Sequence, residues 1–214
     1  MLRYFSPLWF GAETAYTLVV VFLCIYVFCK TKEMYDLTRH RGIRYFRNAF
    51  LFFGLAYSAR LAFHMIQLGI ASSGKFVPGR ITFPLAFTLV GYLSTMAIFC
   101  LAYSTAWKKV WYTQFLIGAN AIAIGIAAVS YITRSPMVVG LVQLPLIVFT
   151  LISSNRGKKS HARALYFLIS LFWLVNLFVL GPRKMLPLEI KAALQLISLG
   201  VFAVLSYRVA KWAR

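Results

Sequence analysis

The sequence predicts an all-α bundle of about seven membrane-spanning helices, and its composition carries most of that prediction. Of its 214 residues, 61% are hydrophobic and 17% are aromatic, and the mean hydropathy is +0.78. Only 13% are charged, about half the share that is usual in soluble domains. A soluble fold needs a polar surface that this chain cannot supply. We therefore expect a multi-pass integral membrane protein of the cell membrane.

The predicted helices follow from seven apolar runs, each long enough to cross most of the ~30 Å hydrocarbon core. In order, the runs are Leu8–Cys29, Asn48–Ala71, Ile81–Ser104, Trp111–Thr133, Met137–Ser153, Leu165–Leu180 and Ile190–Tyr207. The fifth and sixth runs are the shortest. Helix-breaking residues stand between the runs, at Ser72-Ser73-Gly74, Ser135-Pro136 and Gly181-Pro182.

Lysine and arginine are distributed unevenly between the two sides of the predicted bundle. The first, third and fifth connections and the C-terminal tail hold about twice as many of them as the opposite side. Positively charged loops stay in the cytoplasm, so the N-terminus is predicted to be outside and the C-terminus cytoplasmic.

The net charge of +19 comes from 23 basic residues against four acidic ones. No nucleic-acid-binding motif accompanies this charge, so nucleic acid is not expected as a partner. The most basic connection spans residues 30–47. Its arginines are candidate contacts for anionic lipid head groups or for a cytoplasmic or membrane protein partner, and they are Arg39, Arg41, Arg44 and Arg47.

The fourth run differs from the others because it is rich in glycine and alanine. Small residues allow helices to approach closely in lipid, which predicts a central position for this helix. His40 and Tyr45-Phe46 are echoed by His161 and Tyr166-Phe167. This weak similarity indicates one domain with a 3+1+3 repeat, in which residues 8–104 and 137–207 are the repeats and 111–133 is a linker helix.

A stripe of polar residues in the second run is the strongest functional signal in the chain. Tyr57, Arg60, His64 and Gln67 follow one another at steps of three or four residues. In a helix they share one face. An ionisable side chain at this depth is costly, so it faces protein or a water-filled cavity and marks a functional site.

Further polar residues are predicted at a similar depth in other helices. The helix rise places all of them in the outer half of the bilayer, and they are Glu13, Gln143, Asn176 and Gln195. One interpretation is an outward-facing polar cavity centred on Arg60, whose planar fork suits carboxylate or phosphate. The other is a structural Glu13–Arg60 ion pair, with amides joining neighbouring helices. The sequence leaves both open.

Several chemistries have no support in the sequence. It has no nucleotide-binding loop, no His-Glu-x-x-His motif and no pair of intramembrane carboxylates. We expect no enzymatic activity, no metal site and no cofactor. The leading hypothesis is a receptor- or sensor-like module that binds a small solute, with anionic solutes favoured. The alternatives are a small-solute transporter or ion/proton channel, and a structural or assembly subunit of a membrane complex.

Overall fold

A computed structural model describes residues 7–73, 79–108, 111–133, 135–155, 160–179 and 187–212. These residues form seven α-helices, and no strand occurs among them. The helices are α1 Pro7–Thr38, α2 Arg41–Ser73, α3 Gly79–Ala106, α4 Tyr112–Thr133, α5 Pro136–Asn155, α6 Ser160–Val179 and α7 Leu188–Trp212. The predicted fold class, an all-α bundle, is confirmed.

Five of the helices are long and apolar enough to cross a membrane. Their apolar segments are Phe10–Thr38, Arg41–Ile66, Pro84–Ala106, Tyr112–Thr133 and Glu189–Trp212. The apolar parts of α5 and α6 are shorter, at Val138–Ser154 and Arg163–Leu177. The chain is therefore a helical membrane protein whose outward-facing side chains contact the lipid bilayer.

Six helices form a closed ring in the order α1, α2, α3, α5, α6 and α7, with α7 packed against α1. We call the end of the bundle where α1 and α7 begin the N-face, and the end where they terminate the C-face. At the C-face, the Trp212 ring lies 6.4 Å from that of Phe46. The Ser104 and Tyr166 hydroxyls are 2.7 Å apart. Helices that are consecutive in the chain thus alternate in direction, whereas the ring neighbours α1 and α7 run parallel.

The predicted central position of the fourth helix is wrong. Within the described part of the chain, α4 lies outside the ring and packs on α3 and α5. Small residues lie on more than one face of α4, but only one of these faces packs against other helices. Ala119 and Ala123 are buried there, whereas Ala121 and Gly125 are exposed. Small residues permit a close approach, but they do not require a neighbour on every face of the helix. The 3+1+3 repeat stays a prediction.

The predicted basic loop over residues 30–47 is also wrong, because nearly all of it is helical. Helix α1 continues to Thr38 and α2 begins at Arg41, so only Arg39 and His40 connect them. Arg39 has a φ of 52°, and its N–H donates to the Tyr35 carbonyl at 2.8 Å. A left-handed residue with this bond is a common way to end a helix. Because α1 has 32 residues, it is about 48 Å long and extends beyond a ~30 Å hydrocarbon core.

Candidate functional site: a polar cluster in the N-face half

The buried face of α7 changes from polar to apolar along its length. At steps of three or four residues from the N-face to the C-face, it carries Lys191, Gln195, Ser198, Phe202, Leu205 and Val209. The buried face of α1 changes in the same direction, through Glu13, Tyr16, Thr17, Val20, Cys24 and Val27. The two helices therefore face each other with polar groups near the N-face and apolar groups towards the C-face.

The innermost layer of the polar cluster is a closed ring of three hydrogen bonds. The Tyr16 hydroxyl donates to Asn176 Oδ1 at 2.5 Å, and Asn176 Nδ2 donates to Ser198 Oγ at 2.8 Å. Ser198 Oγ lies 2.9 Å from the Tyr16 hydroxyl. The Tyr16 hydrogen is already used, so Ser198 donates this third bond. Asn176 Nδ2 also donates to the Phe172 carbonyl at 2.8 Å, which fixes the amide orientation.

The middle layer of the polar cluster lies nearer the N-face than the hydrogen-bonded ring, by three residues along α1 and α7. Glu13 and Gln195 each stand three residues before a member of the ring, so both lie about 4.5 Å further out. Arg60 Nη2 donates to Glu13 Oε1 in an ion pair between α2 and α1. The two side chains are only 15% and 11% exposed. Gln195 is buried, and within the described part of the chain its Nε2 has no hydrogen-bond acceptor.

The outer layer contains His64 and Lys191. His64 Nε2 is 3.7 Å from the same Glu13 oxygen that Arg60 contacts, and its ring lies 5.9 Å from Phe10. Lys191 is one turn from Gln195 on the same face of α7. Only 5% of Lys191 is exposed, although a lysine near a helix end usually extends towards water.

Aromatic side chains close the cluster on the C-face side. Tyr57 of α2 lies between the Tyr16 ring at 6.5 Å and the Phe172 ring at 6.3 Å. Phe202 stacks on Phe172 at 4.6 Å and on Phe50 at 6.2 Å. The polar groups therefore end at a packed aromatic layer halfway through the bundle.

The structure brings together six of the eight side chains that the sequence singled out for a ligand site, namely Glu13, Tyr57, Arg60, His64, Asn176 and Gln195. Gln67 is in α2, but its side chain lies outside the described residues. Gln143 belongs to a separate cluster.

The Gln143 cluster joins α3 to α5. Gln143 Nε2 donates to Thr95 Oγ1 at 2.7 Å and to Ser94 Oγ at 2.9 Å. Both hydroxyls in turn donate to the Gly91 carbonyl. The Gln143 amide nitrogen is thus satisfied by protein, as expected of a residue that joins helices.

Sequence reasoning missed three members of the N-face cluster: Tyr16, Ser198 and Lys191. Tyrosine and serine are common in spanning helices and gave no signal of their own. Lys191 lies near a helix end, where a lysine side chain usually extends towards water, so its position gave no sign of burial. Its spacing of four residues before Gln195 was the available signal, since that spacing places both on one helical face.

The candidate arginines for lipid or partner contact lie at the C-face, and they are not equivalent. Arg39, Arg41 and Arg44 are exposed. The Arg47 guanidinium lies between helices, 5.3 Å from the ring centres of both Phe28 and Tyr35. Arg47 therefore contributes to α1–α2 packing through cation–π contacts.

The N-face cluster combines N–H donors from two helices with one carboxylate. The donors are Arg60 of α2 and Lys191 and Gln195 of α7, and the carboxylate is Glu13, which accepts from Arg60. Among the described residues, no group of three His, Cys, Asp or Glu side chains could hold a metal ion.

No family model and no solved structure matches the chain. The chain is 31% identical, over 218 aligned positions, to an uncharacterized protein of Archaeoglobus fulgidus; the alignment covers 93% of this chain and 91% of that protein. The two proteins belong to one family. Because the relative is itself uncharacterized, the match shows family membership over almost the whole chain and no activity.

Proposed function

We propose that this protein is a receptor- or sensor-like membrane module that binds a small anionic solute in the N-face cluster and carries out no catalysis. One observation supports this most strongly: the buried Nε2 of Gln195, in the same layer as the Arg60 guanidinium, has no hydrogen-bond acceptor among the described residues. A buried donor without an acceptor costs roughly 1–3 kcal/mol. A solute with acceptor oxygens would remove that cost.

The signal would pass through α1. This single helix carries Glu13 of the cluster and also Glu33 and Asp36, which are exposed at the C-face. A ligand that favours one packing of α1 against α2 and α7 shifts the populations of two bundle states. The exposed α1–α2 hairpin then presents a different surface to a partner. Arg39, Arg41 and Arg44 would contact anionic lipid head groups or that partner.

The distribution of lysine and arginine supports an orientation in which the N-face opens to the outside of the cell membrane. The aromatic layer formed by Phe50, Phe172 and Phe202 favours binding over conduction, because it lies directly between the cluster and the C-face. Transport would require this layer to open.

Ligand-dependent stability tests the proposal. The purified protein is heated in detergent with sodium acetate, lactate, phosphate or sulfate, and unfolding is followed with a thiol-reactive dye. Cys24 and Cys100 are buried, so they react only on unfolding. We expect at least one of these anions to raise the melting temperature of the wild type. Arg60→Gln should abolish that rise. Arg44→Gln, an exposed arginine on the same helix, should retain it.

Three outcomes would overturn the proposal. The first is an unchanged melting temperature with every anion, or an equal anion effect in wild type and Arg60→Gln. The second is saturable anion uptake into proteoliposomes that Arg60→Gln abolishes, which would identify a transporter instead. A protein that is stable only with a co-purifying subunit would indicate the assembly role.

A further inference from the structure

The Arg47 side chain of α2 is held between two aromatic rings of α1 at the C-face. Its guanidinium carbon is 5.3 Å from the ring centres of both Phe28 and Tyr35. These two residues are seven positions apart on α1, which is a separation of about 10.5 Å along a helix. The guanidinium therefore lies midway between the rings. Because the rings cover both faces of this planar cation, its hydrogen bonds can form only along its edge.

The edge of the Arg47 guanidinium carries a donor that is not used within the described part of the chain. Arg47 Nε is buried and has no acceptor among the described residues. The side chain as a whole is only half-buried, so the guanidinium is not sealed inside the bundle. An arginine edge can bind two oxygens of one phosphate group at the same time. The two rings fix the orientation of the edge before any such ligand arrives.

The depth of Arg47 matches that of lipid phosphates. The apolar run of α1 ends at Cys29 and that of α2 begins at Asn48, so Arg47 is one residue from the edge of the hydrocarbon core. The head-group layer outside this core is about 5–8 Å thick. Lys32 lies three residues beyond Cys29, which places it about 4.5 Å into the same layer.

Lys32 lies on the same side of α1 as the two rings, because it follows Phe28 by four residues and precedes Tyr35 by three. It is exposed, so its ammonium can reach a group that is bound at the Arg47 edge. The surrounding segment is strongly basic. Residues 30–47 contain six lysines and arginines against two acidic residues, and one of these acids, Glu33, is paired with Lys30.

We propose that Arg47 and Lys32 bind the phosphodiester group of an anionic phospholipid on the outer side of the α1–α2 pair. This site is at the opposite end of the bundle from the N-face cluster and does not depend on the anion-binding function proposed above. Arg47 would hold two phosphate oxygens with its edge, and Lys32 would add a second positive charge. Because Arg47 belongs to α2 and its two rings belong to α1, the bound lipid would also hold these helices together.

The charge of the site favours an anionic head group over a zwitterionic one. Phosphatidylglycerol and phosphatidylcholine have the same phosphodiester, but phosphatidylcholine carries a quaternary ammonium group on the far side of it. Lys32 and the basic residues around it repel that ammonium group. Phosphatidylglycerol has neutral hydroxyls at the same place, so the proposal separates the two lipids although their phosphates are identical.

The test measures lipid binding to the full-length protein in a neutral detergent. The protein is titrated with phosphatidylglycerol or phosphatidylcholine of the same acyl chains, and native mass spectrometry quantifies the species that carry one lipid. We expect the wild type to bind phosphatidylglycerol at least tenfold more tightly than phosphatidylcholine. Arg47→Gln should weaken phosphatidylglycerol binding at least tenfold. Arg47→Lys keeps the charge but loses the planar edge, and it should weaken binding at least fivefold.

The matched control is Arg208→Gln. Arg208 is an exposed arginine of α7, one residue beyond the end of its apolar run at Tyr207, so it lies at a similar depth at the C-face. This variant changes the net charge of the protein by the same amount as Arg47→Gln. Its affinity for phosphatidylglycerol should remain within about twofold of the wild type.

Lys32→Gln keeps the proposal testable if Arg47→Gln does not fold. Lys32 is exposed, so its loss should leave the packing of α1 on α2 unchanged, and we expect phosphatidylglycerol to bind about fivefold more weakly. An unchanged affinity in Lys32→Gln would remove that residue from the site and overturn the proposal as stated.

Three further outcomes would overturn the proposal. Equal losses in Arg47→Gln and Arg208→Gln would show that lipid is attracted only by the net charge of the C-face. Equal binding of the two lipids by the wild type would reject the anionic lipid as the ligand. Displacement of phosphatidylglycerol by inorganic phosphate at the same concentration would show that the site takes a soluble anion instead.

Discussion

Two polar clusters occupy the bundle, and they satisfy their hydrogen bonds in different ways. In the α3–α5 cluster, the Gln143 amide nitrogen donates to two hydroxyls, and each hydroxyl donates to a backbone carbonyl. In the N-face cluster, the ring beneath the site is equally complete, but the layer above it is not. There, the buried amide nitrogen of Gln195 has no hydrogen-bond acceptor among the described residues.

The comparison shows how a structural polar contact can be distinguished from a binding site inside a membrane protein. Both clusters contain a buried glutamine, so residue type and burial do not separate them. What separates them is the balance of donors and acceptors. A structural cluster gains by satisfying every donor within the protein, whereas a site keeps some donors for its ligand at a cost in stability.

The largest expected effect concerns the Glu13–Arg60 pair. Glu13→Gln leaves Arg60 without its carboxylate in a buried position and should lower the free energy of unfolding by about 3 kcal/mol. Arg60→Gln should cost less, about 1–2 kcal/mol, because Glu13 can take up a proton whereas arginine stays charged. The double variant should recover part of the loss. Chemical unfolding in detergent measures all three variants.

Strictly additive losses in the double variant would show that the two side chains do not stabilise each other. In that case the ion pair of the N-face cluster would make no net contribution to the stability of the bundle. The matched control is Lys30→Gln, because Lys30 forms an exposed pair with Glu33 at 2.9 Å. Surface pairs contribute little, so this control should change the free energy of unfolding by less than about 1 kcal/mol.

The same substitution should have opposite effects in the two clusters. Gln143→Met removes an amide that bonds Thr95 and Ser94, so we expect a loss of about 2 kcal/mol in unfolding free energy. Gln195→Met removes a donor without an acceptor, so we expect no loss, or a gain of about 1 kcal/mol. Melting temperatures without ligand measure the pair. If both variants lose stability equally, the proposed difference between the clusters does not exist.

The sequence predicted well how deep the polar side chains lie in the bilayer, but it predicted poorly which neighbouring helix each of them faces. Helix rise alone placed Glu13, Arg60, Asn176 and Gln195 at similar depths, and the structure brings them together. The same reasoning grouped Gln143 with them, because depth along a helix does not reveal which neighbouring helix a side chain faces. That depends on the order of the helices around the ring, in which α5 lies between α3 and α6.

Lys191 and the α1–α2 connection show two further limits. A lysine near a helix end usually extends to water, so only the structure could show that Lys191 turns inward. Charged residues after an apolar run usually indicate a loop. Residues 30–38 are nevertheless helical, because lysine and glutamate are good helix formers and Lys30 pairs with Glu33 one turn later.

The smallest expected effect concerns the ring of Tyr16, Asn176 and Ser198 beneath the site. Tyr16→Phe removes two of its three bonds and leaves Asn176 Oδ1 without a donor, so we expect a loss of about 1–2 kcal/mol in unfolding free energy. Ser198→Ala should cost about 1 kcal/mol. Because either change opens the ring, the double variant should lose less than the two single losses combined. The control is Tyr26→Phe, which changes a more exposed tyrosine of α1 and should leave the free energy of unfolding unchanged. A ring that only supports the site should leave the affinity of Ser198→Ala for a stabilising anion within about threefold of the wild type, since Arg60 and Gln195 are unchanged. A much larger loss of affinity would place Ser198 in contact with the ligand, and the boundary between the complete ring and the incomplete layer above it would then be wrong.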